Sequence, residues 1–326
     1  MRVHIQNASD NPLFAITATQ WCEAAGRAGE NPMAHTLSIG AMAEDLLAAL
    51  PWVEALITPP GPLAASLPIV APALRLIFCT TAGADALAPF DRLPSTAALV
   101  CNRGIHGEKA GEYAIMAILM LAMRLPVLIG AQSRSAWEPS YTPTLAGRHL
   151  AVLGLGTLGG AAASRARSFE MFVTGINRSG RPHPACHRTL PVSELDRALP
   201  EAEFLLLACP LTPLTRGILD HRRLSLLPAG AGVVNIGRGP LIAEDALADL
   251  LLSGHLGGAV LDVFGTEPLP SVHRFWRTPN LIVTPHISSD DPTTYNPRTL
   301  DRFFAALAAL RRGQAPPNMI DRARGY

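Results

Sequence analysis

The stretch His149-Leu150-Ala151-Val152-Leu153-Gly154-Leu155-Gly156-Thr157-Leu158-Gly159 decides the fold. Its first five residues predict a buried strand that delivers the backbone into a tight turn at Gly154. A helix is predicted from about Thr157 through Ala161, Ala162, Ala163 and Ala166. In the spacing G-x-G-x-x-G, Gly154 permits the turn, Gly156 lets a pyrophosphate approach the backbone, and Gly159 lets helix and strand pack closely. The unpaired N–H groups and positive dipole end of the helix face such phosphates. Gly154, Leu155, Gly156, Thr157, Leu158 and Gly159 are therefore candidate cofactor-binding residues. Alone, the pattern also fits a structural turn in a chain rich in Ala and Gly. The strand before it, the helix after it and a second strand at 172–176 favour a dinucleotide site.

The end of that second strand selects the dinucleotide. Met171-Phe172-Val173-Thr174-Gly175-Ile176 runs into Asn177-Arg178-Ser179-Gly180-Arg181. An NAD site places Asp or Glu here for the ribose 2′-hydroxyl. This chain has Asn177, 18 residues after Gly159, followed by two arginines. A carboxylate repels a 2′-phosphate, whereas Arg and Ser hydrogen-bond it. The residues Asn177, Arg178 and Ser179 point to NADP(H), with NAD(H) as the alternative.

Length and composition bound the remaining classes. A chain of 326 residues is long for one core and predicts two domains. With 48% hydrophobic residues it is a packed globular protein. A net charge of +1 provides no global basic field for nucleic acid or an anionic membrane. Cys22, Cys79, Cys101, Cys186 and Cys209 are odd in number and widely spaced. All but Cys186 sit in or beside apolar segments and read as core thiols. Cys186 lies in the Pro-rich stretch Arg181-Pro182-His183-Pro184-Ala185-Cys186-His187, where no second ligand cluster supports a metal. A reduced, cytoplasmic protein is expected. Met1–Asn7 reads as a short strand rather than a signal peptide, and the apolar run Ala114–Met123 is too short to span a bilayer.

Strands and helices alternate along the chain. In the first hundred residues strands are predicted at 3–6, 36–39, 55–58, 74–79 and 97–100, with helices at 16–25 and 41–50. A buried helix is predicted over 109–125, and a Pro-containing loop at 137–143. A second set of strands is predicted at 149–153, 171–176, 203–208, 232–236, 257–263 and 281–283, and a last helix at 298–312. The pattern argues an α/β protein with parallel sheets covered by helices.

Three polar residues stand just past the carboxyl ends of second-set strands, where ligand crevices form in open α/β sheets. They are Arg238, Glu267 and His286. Arg forks onto a carboxylate, His delivers a proton to a developing alkoxide, and Glu pairs with the imidazolium and raises its pKa. Together they form a set suited to carbonyl reduction.

Three motifs carry a family resemblance: Asn235-Ile236-Gly237-Arg238-Gly239-Pro240-Leu241-Ile242, Leu261-Asp262-Val263-Phe264-Gly265-Thr266-Glu267-Pro268-Leu269-Pro270 and Thr284-Pro285-His286-Ile287. In order and spacing they resemble the D-isomer-specific 2-hydroxyacid dehydrogenases over nearly the whole chain. The resemblance implies a Rossmann-type doubly wound parallel sheet, residues 104–289, inserted into a flavodoxin-like substrate domain built from residues 1–103 and 290–326. It implies Arg238 as carboxylate anchor, His286 as acid/base and Glu267 as its partner. It implies that Ala82 and Gly83, in Thr80–Asp85, bind the substrate carboxylate. It also brings Cys209, Pro210, Thr215, Ile236, Gly237, Asp262 and Ser288 to the cofactor, and implies a homodimer paired through nucleotide domains. The Asn177-Arg178-Ser179 ending is similar to NADPH-preferring glyoxylate/hydroxypyruvate reductases, so a small 2-keto or 2-hydroxy acid is the expected partner. The stretch Ser288-Ser289-Asp290-Asp291 departs from the small residues usual after the family's histidine. His106 is expected to cap the buried helix, with lining the cleft as the alternative. Two other readings are an NAD-dependent oxidiser of the phosphoglycerate or phosphite kind and a nucleotide-sensing scaffold. The missing acid at Asn177 argues against the first, and the intact Arg238, Glu267 and His286 against the second.

Overall fold

The computed structural model describes residues 1–9 and 11–323. It divides into two compact units, Met1–Ile105 with the residues from Asp291 onward, and His106–Asp290.

In the first unit the strands are β1 (Arg2–Gln6), β2 (Thr36–Gly40), β3 (Ala55–Thr58), β4 (Leu76–Cys79) and β5 (Ala98–Cys101). The helices are α1 (Ala18–Arg27), α2 (Ala43–Ala49) and α3 (Pro60–Ala65). Helix α10 (Tyr295–Arg311) belongs to the same unit and packs on α1. The sheet order is β2-β1-β3-β4-β5, all parallel, which is the flavodoxin-like order. Alternate residues of β3, β4 and β5 enter opposite cores. Leu76 and Phe78 join Trp21, Phe303 and Phe304 on one face, whereas Ile77 and Cys79 join Leu46, Leu63 and Leu87 on the other. Burial on both faces explains why β3, β4 and β5 are nearly unbroken apolar runs, whereas β1 and β2 also carry His4, Gln6, Thr36 and Ser38.

The second unit holds α4 (Gly107–Ala122), α5 (Leu125–Ser133), β6 (His149–Leu153), α6 (Thr157–Ser168), β7 (Phe172–Asn177) and β8 (Arg188–Pro191). It continues with α7 (Leu195–Ala198), β9 (Phe204–Leu207), α8 (His221–Leu224), β10 (Gly232–Asn235), α9 (Glu244–Leu252), β11 (Gly258–Leu261) and β12 (Leu281–Val283). The parallel order β12-β11-β10-β9-β6-β7-β8 is a doubly wound sheet that reverses direction between β6 and β9. Leu150 and Val152 pack with α4 and α6, and Ala151 and Leu153 with α7 to α9. Each fully buried leucine of β9 contributes about 1.5–3 kcal/mol relative to an exposed one.

Several expected elements need correction. The buried helix does not run to Leu125. It ends at Ala122, Arg124 takes a left-handed φ of 54°, and α5 leaves at 62° to α4. Among the described residues no single helix is long and apolar enough to cross a membrane; α4 and α5 pass that test only as this bent pair. The last helix begins at Tyr295 rather than Arg298, because Pro297 sits in the first turn, where no N–H partner is needed. Strand β8 escaped prediction: it is a short edge strand ending in proline, only part-buried. Cys22 is not a core thiol, since α1 turns Trp21, Ala24 and Ala25 inward and leaves it exposed.

Candidate active site

The nucleotide loop follows β6 at the switch point of the seven-stranded sheet. Gly154 has φ +98°, and a Cβ there would lie 2.6 Å from the Cα and N of Cys209. A Cβ on Gly159 would lie 3.0 Å from the carbonyl carbon of Gly154. Protein packing thus demands both glycines. Gly156 differs: its φ of −75° suits any residue, and a Cβ would meet nothing within 4 Å. No protein group accounts for glycine there, and the open space above it, beside the first N–H groups of α6, fits a phosphate held against the backbone. Thr157 begins α6 and is exposed, and Leu155 and Leu158 are half-buried around it. The residues present fit a dinucleotide.

At the end of β7 the side chain of Asn177 organises the loop. Its Nδ2 donates to the Arg181 carbonyl at 2.8 Å, and its Oδ1 accepts from the N–H groups of Ser179 (3.0 Å) and Gly180 (2.7 Å). Asn177 therefore shapes the turn that leaves Arg178, Ser179 and Arg181 on the exposed surface. Past β9, the thiol of Cys209 is buried, which pushes its pKa up to about 12. Its backbone, not its sulfur, faces Gly154. Thr215 Oγ1 donates to the Pro210 carbonyl at 2.8 Å and accepts from Thr212 N–H at 2.8 Å, closing that loop.

Past β10, the buried Asn235 accepts from Gly237 N–H at 3.0 Å and donates to the Arg238 carbonyl at 3.0 Å. This side chain bends the backbone that presents Arg238. Ile236 is buried in the core on the α4 side, and Gly237 abuts the Cys209 carbonyl. Arg238 is half-buried, and its Nη1 donates to the Gly237 carbonyl at 2.8 Å.

The ends of β11 and β12 bring the remaining residues together. Glu267 Oε2 lies 2.7 Å from His286 Nδ1, and its Oε1 accepts from Phe264 N–H at 2.8 Å. Burial pushes the Glu267 pKa up, but the His286 and Phe264 hydrogen bonds and the charges of His286 and Arg238 outweigh it and hold the carboxyl below its usual range. The Glu267 hydrogen bond raises the pKa of His286; burial and the charge of Arg238 oppose, and the charges of Glu267 and Asp262 assist. His286 takes a left-handed φ of 55°, uncommon for a residue with a side chain. Asp262, fully buried, holds that turn. Its carbonyl accepts from His286 N–H (2.9 Å), Oδ1 from Ile287 N–H (2.9 Å) and Oδ2 from Ser288 N–H (2.8 Å). Ser288 is itself buried beneath the turn.

His106 occupies the N-cap position of α4, but its side chain makes no capping bond; Nδ1 lies 3.2 Å from Asp290 Oδ1. The capping reading is wrong because the chain folds Asp290, 184 residues later, beside it. In the first unit, Ala82 and Gly83 follow β4 in a loop where Thr81 Oγ1 donates to the Gly83 carbonyl at 2.6 Å. Asn102 Nδ2 and the Tyr295 hydroxyl both donate to the Thr80 carbonyl, at 2.8 and 2.6 Å.

A doubly wound sheet with this glycine loop, and a charged Arg–Glu–His set past its strands, defines an NAD(P)-dependent dehydrogenase. Comparison with known proteins gives the family. Residues 115–288 match the model described as "D-isomer specific 2-hydroxyacid dehydrogenase, NAD binding domain". The chain is 31% identical over 260 residues to glyoxylate/hydroxypyruvate reductase A of Serratia proteamaculans (strain 568), covering 78% of this chain and 82% of that protein. Two solved structures superpose on it. A D-isomer specific 2-hydroxyacid dehydrogenase from Xanthobacter autotrophicus Py2, in complex with NADPH and MES, has TM-score 0.82 and 28% identity, covering 100% of this chain and 99% of the other. An NADPH-dependent glyoxylate/hydroxypyruvate reductase from Sinorhizobium meliloti, in complex with NADP and sulfate, has TM-score 0.83 and 25% identity, with the same coverage. The chain belongs to the D-isomer specific 2-hydroxyacid dehydrogenase family.

Proposed function

We propose that the protein reduces a small 2-keto acid, glyoxylate or hydroxypyruvate, to the D-2-hydroxy acid with NADPH. The observation that carries this reading is the His286–Glu267 contact of 2.7 Å on a backbone turn fixed by Asp262. With Nδ1 engaged by Glu267, Nε2 is the nitrogen that carries the exchangeable proton. A bound reduced nicotinamide supplies the hydride. As the carbonyl carbon becomes tetrahedral, His286 protonates the oxygen and is left neutral, while Glu267 stabilises its charged form beforehand. Arg238 holds the substrate carboxylate and polarises the carbonyl. Ala82 and Gly83 are assigned to carboxylate binding by the family resemblance alone. Residues 154–159 would hold the pyrophosphate, with Cys209, Pro210, Thr215, Ile236 and Gly237 contributing mainly backbone. Arg178 and Ser179 bind the 2′-phosphate on the turn that Asn177 shapes.

Support for this substrate class comes from the similarity to the Serratia reductase, and support for NADPH from the two complexes named above. The test is a panel of small 2-keto acids assayed with NADPH and NADH side by side. Reduction of neither glyoxylate nor hydroxypyruvate with NADPH refutes the reading. Five free thiols fit a reducing, cytoplasmic setting. A homodimer through the nucleotide-binding unit is part of the reading: Trp137 and Tyr141, each 96% exposed between α5 and β6, offer apolar area for a second copy. A monomer by light scattering overturns that part.

A further inference from the structure

The turn that carries His286 is tied to helix α4 by two short hydrogen bonds in series. Thr284 Oγ1 donates to Asp262 Oδ1 at 2.6 Å. The Tyr113 hydroxyl lies 2.6 Å from the same Thr284 oxygen. Because the Thr284 proton is committed to the carboxylate, Tyr113 is the donor of the second bond, so the chain runs Tyr113 to Thr284 to Asp262. Tyr113 is 6% exposed and Asp262 is 0% exposed, so water does not replace either partner readily. The Asp262 carboxylate also accepts from the Ile287 and Ser288 N–H groups, which impose the left-handed backbone at His286. An unfavourable φ persists only where the surroundings over-determine it. Helix α4 is the long buried helix against the sheet, whereas Thr284–Ser288 is irregular chain. The phenol therefore anchors an irregular segment to a rigid one.

We infer that Tyr113 and Thr284 are positioning residues for the proton-transfer step, acting through Asp262 to hold His286 in its reactive backbone conformation. This inference rests on the proposed role of His286. Burial, assisted by the Asp262 charge and opposed by the Thr284 bond, pushes the Tyr113 pKa up to about 12. The phenol thus remains a donor through the whole range in which His286 titrates. Neither residue touches the reacting atoms; their loss loosens the turn and lowers kcat more than it raises KM for either substrate.

The experiment is a double-mutant cycle on the full-length enzyme, read as kcat and KM at fixed pH. Thr284→Val is expected to lower kcat about tenfold, since it removes a hydrogen bond to a buried charge. KM for NADPH should change less than threefold, and Thr284→Ser should restore most of the rate. Tyr113→Phe is expected to lower kcat severalfold in the parent and not at all in Thr284→Val, because its effect passes through the missing hydroxyl. Additive losses, a Thr284→Val rate within twofold of the parent, or a loss confined to KM for NADPH overturns the inference. His286→Ala separates the two failures. If it abolishes reduction while any of those outcomes holds, only the positioning role falls; if it retains parental turnover, the acid assignment falls and this inference with it.

Discussion

Gly156 and Gly154 lie two residues apart yet should respond oppositely to the same methyl group. At Gly154 an alanine Cβ would lie 2.6 Å from the Cys209 backbone in a conformation with φ +98°. The left-handed conformation costs about 1–2 kcal/mol and the steric overlap about 1–3 kcal/mol, so Gly154→Ala should lose roughly 2–5 kcal/mol of stability. At Gly156 the added Cβ meets no protein atom within 4 Å, and φ is −75°. There Gly→Ala removes unfolded-state freedom and should change stability by less than about 1 kcal/mol. If a pyrophosphate lies against Gly156, however, the methyl intrudes on it. An intrusion worth about 1–3 kcal/mol weakens NADPH binding about five- to a hundred-and-fiftyfold. Urea denaturation of both variants and titration of intrinsic fluorescence with NADPH separate the two effects. A Gly156→Ala protein that folds and binds NADPH as tightly as the parent would refute the placement of the phosphates.

Arg238→Lys should fold normally and lose about a hundredfold or more in kcat/KM, because an ammonium cannot supply a planar fork; glyoxylate reduction within twofold of the parent would remove Arg238 as the anchor. The pKa of His286 is raised and that of Glu267 lowered, so both are charged between these two values. Stabilisation from His286 is complete below its usual value of 6.5 and is lost as pH rises through the raised one; that from Glu267 is complete above 4.5 and is lost as pH falls through the lowered one. Reduction needs the imidazolium, so its rate should be high below the raised value and fall above it, and in Glu267→Gln the fall should move to lower pH. Superimposable reductive profiles for Glu267→Gln and the parent would show that the carboxylate does not tune the acid. NADPH should be preferred over NADH by about tenfold to several hundredfold, from one or two charge-assisted bonds. Asn177→Asp with Arg178→Ala should reverse the order, since Asp keeps the two accepting bonds of Asn177 and loses only its donor to Arg181; equal use of both cofactors by the parent enzyme would count against the 2′-phosphate site.

What could be read from residues alone was whatever depends on neighbours in the chain. The apolar runs at 149–153, 204–207 and 232–235 announce buried parallel strands because each strand is covered on both faces. The spacing of Gly154, Gly156 and Gly159 announces a strand–turn–helix junction because backbone stereochemistry is local. Edge strand β8 is only part-buried, so its pattern has no such contrast. Helix α4 ends early because of the left-handed conformation at Arg124, and apolar residues resume directly after it at Leu125 and Val127.

Tertiary structure alone decided which side chains finish the site. The reversal of strand order between β6 and β9 is a property of the whole sheet, and it sets Cys209 backbone against Gly154. Asn177 looks from the sequence like a ribose ligand, but its amide is spent on the turn, because loop carbonyls and N–H groups must find partners. Asp262 is fully engaged with the chain around His286, and the hydroxyls of Tyr113 and Thr284 meet across 171 residues. His106 meets Asp290 across a similar separation. Hydrogen bonds act over about 3 Å, so a pairing between segments this far apart leaves no periodicity to read and exists only once the sheet has brought its strand ends together.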